Sequence, residues 1–484
     1  MGGLIGYNNG DSKITDSYST SKVTGIDQVG GLVGLNSNGS RIKNSYSTGN
    51  IKGNDYVGGL VGNNNNLSSV LDSHSNSIVI GKDRVGGLIG NNSQSDISNS
   101  YSTQDVTGTN RVGGLVGINK NSIIKNSYAT GDIAGTNQVG DLIGFSYDNS
   151  NINESYTTGS ITANNYVGGL VGQNSDTDVI TSYSTSNVNA NDYVGGLIGL
   201  NKKSTIQTSY TTGEINAVKN VGGLVGYNID SFLENSYSKS NVSANSRVGG
   251  LVGTNKNTII ENSYSTGIVI GDSYIGGLVG LSYGSSSINN SFWDTITSTQ
   301  NSTPSSKGIG LNTQELKQQT TFVDAGWDFE TVWDIDIEND YMALSFFKKI
   351  EVESETTSST ESPNLEETIQ DNEAETIDEA DDQSEDEKLE ESIDNEDETI
   401  DETEDQSEDE KLEESIDSED ETNKDKRIKL AKESNTNILN NKENILISAN
   451  LKDEMYPMFL LQSDVELKIL PLRDKCNFLY NLCP

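Results

Sequence analysis

The chain has 484 residues, only 32% of them hydrophobic, and a formal net charge of −40 at pH 7. This hydrophobic content is below the roughly 45–50% of globular domains, so several ordinary domains with bulky cores are excluded. A nucleic-acid surface is also disfavoured, because phosphate neutralisation needs clustered Lys and Arg and 72 acidic residues face only 32 basic ones.

The first predicted element is a repeat, seen in "VGGLVGLN" at residues 29–36 and in related strings through residues 275–280. Eleven copies of the motif, with their first glycines from Gly2 to Gly276, follow one another at steps of 27 or 28 residues, and a tyrosine and an asparagine recur at the same period. Such even spacing indicates a stack of equal structural units. The structural positions of the repeat are Gly30, Gly31, Gly34, Asn36, Tyr46, Gly58, Gly59, Gly62, Gly113, Gly114, Gly117 and Tyr128.

Each repeat is predicted to form one coil of a parallel β-helix. Val, Ile, Thr and Tyr lie in short runs split by Gly, Asn and Asp, which is typical of strands and turns rather than helices. Three short strands and three tight turns fit 27 residues. The expected fold class is therefore all-β, a right-handed parallel β-helix of about eleven coils with glycine, asparagine and tyrosine ladders. Whether Leu32 or Val33 points inward stays open, because a bulge at the glycines would change the alternation.

"VGGLVG" followed by "NSYSTG" resembles the GLUG-motif repeat of bacterial secreted and surface proteins, among them adhesin-like proteins and some IgA-specific peptidases. The resemblance covers residues 1–295. It implies a β-helical stalk in an extracellular or cell-surface location, and it implies no catalytic activity of the repeat.

Four residues depart from the repeat. Asp141 replaces the second glycine of a pair, while His74 and Phe292 take the tyrosine position. Met1 occupies the Val position of the first motif, so the first coil is expected to be open to solvent. From this we expect a fragment of a larger adhesin-like protein or a wrongly started reading frame, and self-association through the open coil is one alternative.

Residues 296–350 are expected to form an aromatic cap over the end of the solenoid, with Trp293, Trp327 and Trp333 as its anchors. Residues 292–335 also resemble the segment that closes many such arrays. The alternative interpretation is an aromatic platform for glycans.

The rest of the chain divides by composition. Residues 351–425 hold half of all acidic residues and are expected to be disordered; weak Ca²⁺ association is the only cofactor interaction that we consider. The order of residues 426–484 stays open, and Cys476 and Cys483 form either a disulfide or two free thiols. We identify no signal peptide, no sortase-type anchor and no apolar run of the roughly 20 residues that a membrane span needs.

Catalysis is not expected. The single histidine, His74, rules out a His-Glu-x-x-His metal site, and we interpret it as a structural substitution. Asp105 and Asp132 lie 19 residues past their glycine markers in adjacent coils, so they should stack about 4.8 Å apart. They are the one candidate pair for a polysaccharide-active enzyme; the alternative is two exposed turn residues.

Three functional hypotheses follow. The first is a non-catalytic structural or adhesive repeat protein, whose exposed ladder tyrosines contact glycans or host and matrix proteins. The second is a polysaccharide-active β-helix enzyme. The third is a pure spacer or a self-associating stalk.

Overall fold

A computed structural model describes residues 1–302, 308–335 and 341–347, together with the backbone of five short strands between residues 446 and 469. Its contacts divide the chain into two units, Met1–Glu366 and Glu367–Pro484. The expected disorder and Ca²⁺ association of residues 351–425 lie outside the described residues, as do Cys476 and Cys483.

Residues 1–294 form a parallel β-solenoid of about eleven coils, which confirms the predicted fold class. Each complete coil passes through five parallel sheets, named sheets 1 to 5 in chain order from the strand that ends at the first glycine of a pair. Five strands of two to five residues therefore replace the three that we expected, because the backbone turns more often than the glycines indicate.

The strands of the five sheets have the following bounds. Sheet 1 contains Asp27–Gly30, Asp55–Gly58, Asp83–Gly86, Asn110–Gly113, Asn137–Gly140, Asn165–Gly168, Asp192–Gly195, Lys219–Gly222, Ser246–Gly249 and Ser273–Gly276. Sheet 2 contains Ile5–Asn8, Val33–Asn36, Val61–Asn65, Ile89–Ser93, Val116–Lys120, Ile143–Tyr147, Val171–Ser175, Ile198–Lys202, Val225–Ile229, Val252–Lys256 and Val279–Tyr283. Sheet 3 contains Lys13–Thr15, Arg41–Lys43, Ser69–Leu71, Asp96–Ser98, Ile123–Lys125, Ser150–Asn153, Thr177–Ile180, Thr205–Gln207, Phe232–Glu234, Ile259–Glu261 and Ser287–Asn289. Sheet 4 contains Tyr18–Ser19, Tyr46–Ser47, His74–Ser75, Tyr101–Ser102, Tyr128–Ala129, Tyr156–Thr157, Tyr183–Ser184, Tyr210–Thr211, Tyr237–Ser238, Tyr264–Ser265, Phe292–Asp294 and Ile309–Leu311. Sheet 5 contains Val23–Thr24, Ile51–Lys52, Val79–Ile80, Val106–Thr107, Ile133–Ala134, Ser160–Thr162, Asn187–Asn189, Glu214–Asn216, Asn241–Ser243 and Val269–Ile270.

Three corners of each coil have a left-handed backbone, and most of these residues are not glycine. One corner precedes the Val-Gly-Gly sequence, where residues such as Gln28, Tyr56 and Arg84 have φ between 49° and 52°. Another precedes the serine–tyrosine pair, as at Asn44 with φ 49°. Asn and Asp tolerate this conformation better than other L-residues, whereas Tyr and Arg at the first corner adopt it only because the stacked neighbours hold them there.

The glycine pair is required because neighbouring backbone atoms lie too close for a side chain, not because of an unusual backbone conformation. A Cβ placed on Gly58 would stand 1.9 Å from the carbonyl oxygen of Val61, and one on Gly59 would stand 2.0 Å from that of Gly87. No side chain fits at either distance, so the repeated glycines allow the chain to turn sharply between sheets 1 and 2.

The interior contains two separate apolar clusters. One joins sheets 2 and 3 through residues such as Leu32, Val33 and Ile42, and the other joins sheets 1 and 5 through residues such as Val29 and Ile51. Leu32 and Val33 are both fully buried. The open question of which points inward is resolved by the turn at the glycines, which interrupts the strand and lets both side chains enter the core.

After the solenoid, residues 308–335 and 341–347 form the C-terminal module. It contains helices α1 (Thr313–Leu316) and α2 (Gln319–Asp324) and the antiparallel pair Trp333–Ile335 and Met342–Leu344. A capping box of Asn312 and Glu315 closes the start of α1. None of the helices in the described part of the chain has the length and apolarity of a membrane span.

The unit Glu367–Pro484 contributes only short antiparallel strands to the described backbone. Their bounds are Leu446–Ile447, Asn450–Leu451, Glu454–Met455, Phe459–Leu460 and Lys468–Ile469.

Candidate functional site: the tyrosine stack

Sheet 4 carries a column of aromatic rings on its outer face, which we call the tyrosine stack. Successive ring centroids lie 4.7–5.2 Å apart and successive ring planes differ by 3–16°. Its ten members are Tyr18, Tyr46, His74, Tyr101, Tyr128, Tyr156, Tyr183, Tyr210, Tyr237 and Tyr264.

Buried serines before each tyrosine hold the stack in register. The Ser100 backbone N–H donates to Ser127 Oγ at 3.2 Å, and the Ser100 hydroxyl donates to the Ser98 carbonyl at 2.8 Å. The same pair of bonds recurs in the coils of Ser127 and Ser155. Because side chains alternate along a strand, an inward serine places the next residue, the tyrosine, on the outside.

Stacking decides which part of each ring meets a ligand. Each ring face is covered by the neighbouring ring, so the stack presents ring edges and phenol hydroxyls at one per coil. Burial raises the pKa of the Tyr128 and Tyr156 hydroxyls, and the adjacent tyrosines raise that of Tyr128 further. Burial also lowers the pKa of His74. At neutral pH these groups therefore form an uncharged row with hydrogen-bonding capacity.

The exposure of the stack falls along its length because the C-terminal module covers one end. Tyr18 is 59% exposed, whereas Tyr237 is 5% and Tyr264 is 0% exposed. Trp333 packs against both buried rings at 6.1–6.2 Å between centroids. The Tyr264 hydroxyl donates to the Met342 carbonyl at 2.5 Å.

The three tryptophans that we expected over the coil end have two different positions. Trp293 belongs to the apolar cluster of sheets 2 and 3 and lies against Gly277, so it closes the interior of the last coil. Trp327 and Trp333 instead lie on the flank of the last coils, in one cluster with Tyr264 and Phe292. The module therefore covers the side of the last coils, where Trp327 and Trp333 pack against the aromatic rings of sheet 4.

Asp105 and Asp132 lie in adjacent coils and are exposed, as the repeat spacing predicts. Asp105 Oδ1 accepts the backbone N–H of Asp132 at 3.1 Å, and Asp132 Oδ1 accepts that of Ser160 at 3.1 Å. Each carboxylate thus caps a backbone donor of the next coil at sheet 5. Within residues 1–302, 308–335 and 341–347, no group of three or more His, Cys, Asp or Glu side chains is arranged to hold a metal.

The asparagine column lies inside the coil and forms a hydrogen-bonded chain. Asn36 Nδ2 donates to Asn64 Oδ1 and Asn64 Nδ2 donates to Asn92 Oδ1, both at 2.7 Å. Ser146 interrupts the column, and within the part of the chain that the structure describes Asn174 Oδ1 next to it has no hydrogen-bond partner.

Asp141 lies in the interior of the solenoid, and the sequence did not predict this burial. Its carboxyl is 0% exposed, and Oδ2 accepts the Ser186 hydroxyl at 2.7 Å and the Gly159 N–H at 2.8 Å. Oδ1 has no hydrogen-bond partner among the described residues. Oδ1 lies beside Ala129, in the column where most coils have a serine or threonine hydroxyl. Burial raises the pKa of Asp141 to about 8. The sequence signal that could have indicated this site was the departure of both Asp141 and Ala129 from the repeat.

A second feature missed by sequence reasoning is the contact between side chains of sheets 1 and 2 in neighbouring coils. The left-handed residue of a sheet 1 strand reaches sheet 2 of the next coil, as Gln138 Nε2 does in donating to Gln173 Oε1 at 2.6 Å. Arg111 binds Asp83 through two hydrogen bonds of 2.7 Å. The only sequence signal was the variable, bulky residue before each Val-Gly-Gly.

Comparison with known proteins identifies the repeat. The family model described as "The GLUG motif" matches six stretches, residues 1–24, 27–52, 83–107, 108–134, 163–189 and 244–270. A stretch of 54 residues is 41% identical to "Putative Gly-rich membrane protein" of Evansella cellulosilytica and covers 11% of this chain and 6% of that protein. A solved structure titled "IgA1 Protease" aligns with a TM-score of 0.31 and 24% identity over 39% of this chain and 17% of that one. The chain thus spans a small fraction of the length of either protein.

Proposed function

We propose that this chain, a parallel β-solenoid with six matches to the GLUG motif, is a non-catalytic structural and adhesive repeat protein of the cell surface or the secreted fraction. The tyrosine stack carries this proposal. It is a regular row of ring edges and hydroxyls on a rigid support, with one polar group per coil.

The solenoid is suited to hold many weak sites at fixed spacing. Eleven strands at about 4.8 Å give a rod of about 50 Å. Glycans and extended host or matrix proteins also have repeating groups, so several contacts can form at once, and linked weak contacts raise the overall affinity without a tight single site. The word "membrane" in the name of the Evansella protein supports a surface location for this chain.

The enzymatic alternative has less support from the geometry. The oxygens of Asp105 and Asp132 accept backbone N–H groups, which is a structural use of a carboxylate. A pure spacer is the function that remains if the stack binds nothing.

The test is binding of the full chain to arrays of glycans and matrix proteins, with the chain presented either as free protein or at high density on beads. We expect weak binding of the free protein and a gain of at least tenfold on beads. The double variant Tyr101→Ala/Tyr128→Ala should reduce binding, whereas Tyr166→Ala in sheet 1 should not. Binding no greater than that of an acidic control protein would refute the adhesive function.

A further inference from the structure

We propose that the uncovered part of the tyrosine stack, Tyr46 to Tyr156, is a binding site for an extended polypeptide segment that carries aromatic side chains. The proposal rests on the adhesive function proposed above and names the class of partner that this site recognises.

The covered part of the same stack shows what its surface binds. Phe347 of the C-terminal module lies edge-to-face against Tyr183 and Tyr210, with centroid distances of 5.3 and 5.0 Å and interplanar angles of 85° and 79°. The hydrogens at a ring edge are positively polarised and the ring faces negatively. A row of stacked ring edges therefore attracts the face of a further aromatic ring laid across it.

The backbone of the bound segment is recognised as well. The Tyr264 hydroxyl donates to the carbonyl of Met342, which lies in a strand of the module. Apart from His74, each member of the stack thus offers one phenol donor, and successive rings lie 4.7–5.2 Å apart. A peptide supplies both carbonyl acceptors and aromatic faces, whereas a glycan supplies no aromatic ring, so the observed contacts favour a polypeptide.

The uncovered part has the same geometry as the covered part. From Tyr46 to Tyr156 the centroid distances are 4.7–5.0 Å and the interplanar angles 3–11°. All five rings are half-buried. In the part of the chain that the structure describes, their ring contacts are with other members of the stack. The surface that binds Phe347 therefore continues past the module for five more coils.

The probe for the experiment is a fluorescein-labelled peptide of residues 339–350, NDYMALSFFKKI, titrated into the full chain and followed by fluorescence anisotropy. We expect saturable binding that weakens about tenfold when the peptide carries Phe347→Ala, because this ring makes two edge-to-face contacts with the stack and such aromatic pairs contribute beyond the area that they bury. The chain variant Tyr101→Ala/Tyr128→Ala should also weaken binding about tenfold. Tyr166→Ala, outside the stack, should leave the affinity unchanged.

A milder variant separates binding from folding. Tyr128→Phe keeps the ring and removes only the hydroxyl, so we expect an unchanged circular dichroism spectrum and a loss of affinity of about threefold. Peptide binding that is insensitive to all three stack substitutions would overturn the proposal. If the peptide fails to bind but glycans or matrix proteins bind through the stack, the polypeptide assignment is wrong and the adhesive function stands; if nothing binds, both fail.

Discussion

Replacing Asp141 by glycine should change how the stability of the solenoid depends on pH. In the folded chain this carboxyl lies in the interior with one oxygen unpartnered. The other coils have glycine at this position. Asp141→Gly therefore removes one titrating group and restores the repeat without a new side chain to accommodate.

The expected magnitude follows from the raised pKa. Burial raises the pKa of Asp141 from 3.8 to about 8, so the folded chain keeps a proton that the unfolded chain releases. The resulting contribution to stability is complete below about pH 4 and is lost as the pH rises to about 8. At 1.36 kcal/mol per pKa unit, the free energy of unfolding loses about 1.4 kcal/mol per pH unit and about 6 kcal/mol over the whole window.

The measurement is urea-induced unfolding of the full chain, followed by far-ultraviolet circular dichroism at pH 5, 6, 7 and 8. All other titrating groups are shared by the two proteins, so the difference in unfolding free energy between the wild type and Asp141→Gly isolates this carboxyl. We expect the variant to gain stability relative to the wild type at each step towards pH 8.

Gly6→Ala is the control, because it adds no titrating group and its Cβ has nothing within 4 Å. Its stability difference from the wild type should be the same at all four pH values. A constant difference between the wild type and Asp141→Gly over this range would refute the argument, since it would mean that the folded and unfolded chains bind the same number of protons at this position.

Three further predictions concern the ladders. Gly58→Ala should lower the free energy of unfolding by about 4 kcal/mol or more, as strain and overpacking do in their extreme cases, because a Cβ there meets the Val61 carbonyl oxygen at 1.9 Å. Gly6→Ala, where a Cβ has nothing within 4 Å, should change it by less than about 0.5 kcal/mol; equal losses in urea unfolding would contradict this. Ser146→Asn should raise the free energy of unfolding by about 1 kcal/mol, because it supplies a donor to the unpartnered Asn174 Oδ1, and an unchanged melting temperature would count against it. Because the pKa of His74 is lowered in the folded chain, the contribution of its neutral imidazole to the free energy of unfolding is complete above about pH 6.5. This contribution is lost as the pH falls. His74→Tyr should remove that loss, and stability curves that stay parallel between pH 7 and 5 would disprove it.

The sequence was sufficient to predict the parallel solenoid, because identical positions at a fixed step can satisfy backbone hydrogen bonds only by stacking. It was not sufficient to predict five strands per coil. Left-handed corners at Gln28 and Tyr56 break the usual preference of such turns for glycine and asparagine, so the residue types before Val-Gly-Gly do not indicate a corner. The neighbouring coils impose these corners.

The site was only partly predictable for a similar reason. The period of Tyr46 and its equivalents predicts a column of tyrosines. Their spacing along the chain does not show that each ring face is covered by the next ring. The burial of Asp141 contradicts the usual exposure of aspartate. It becomes understandable only from its contacts with Gly159, 18 residues later in the same coil, and with Ser186 in the next coil.

Because the coils have nearly the same sequence, a folding coil can pair with the wrong neighbour and form almost the same contacts as in the native stack. Asp141 and Ala129 distinguish one coil in the middle of the array from its neighbours. Replacing them by glycine and serine would make that coil resemble the others and would remove this difference between alternative registers.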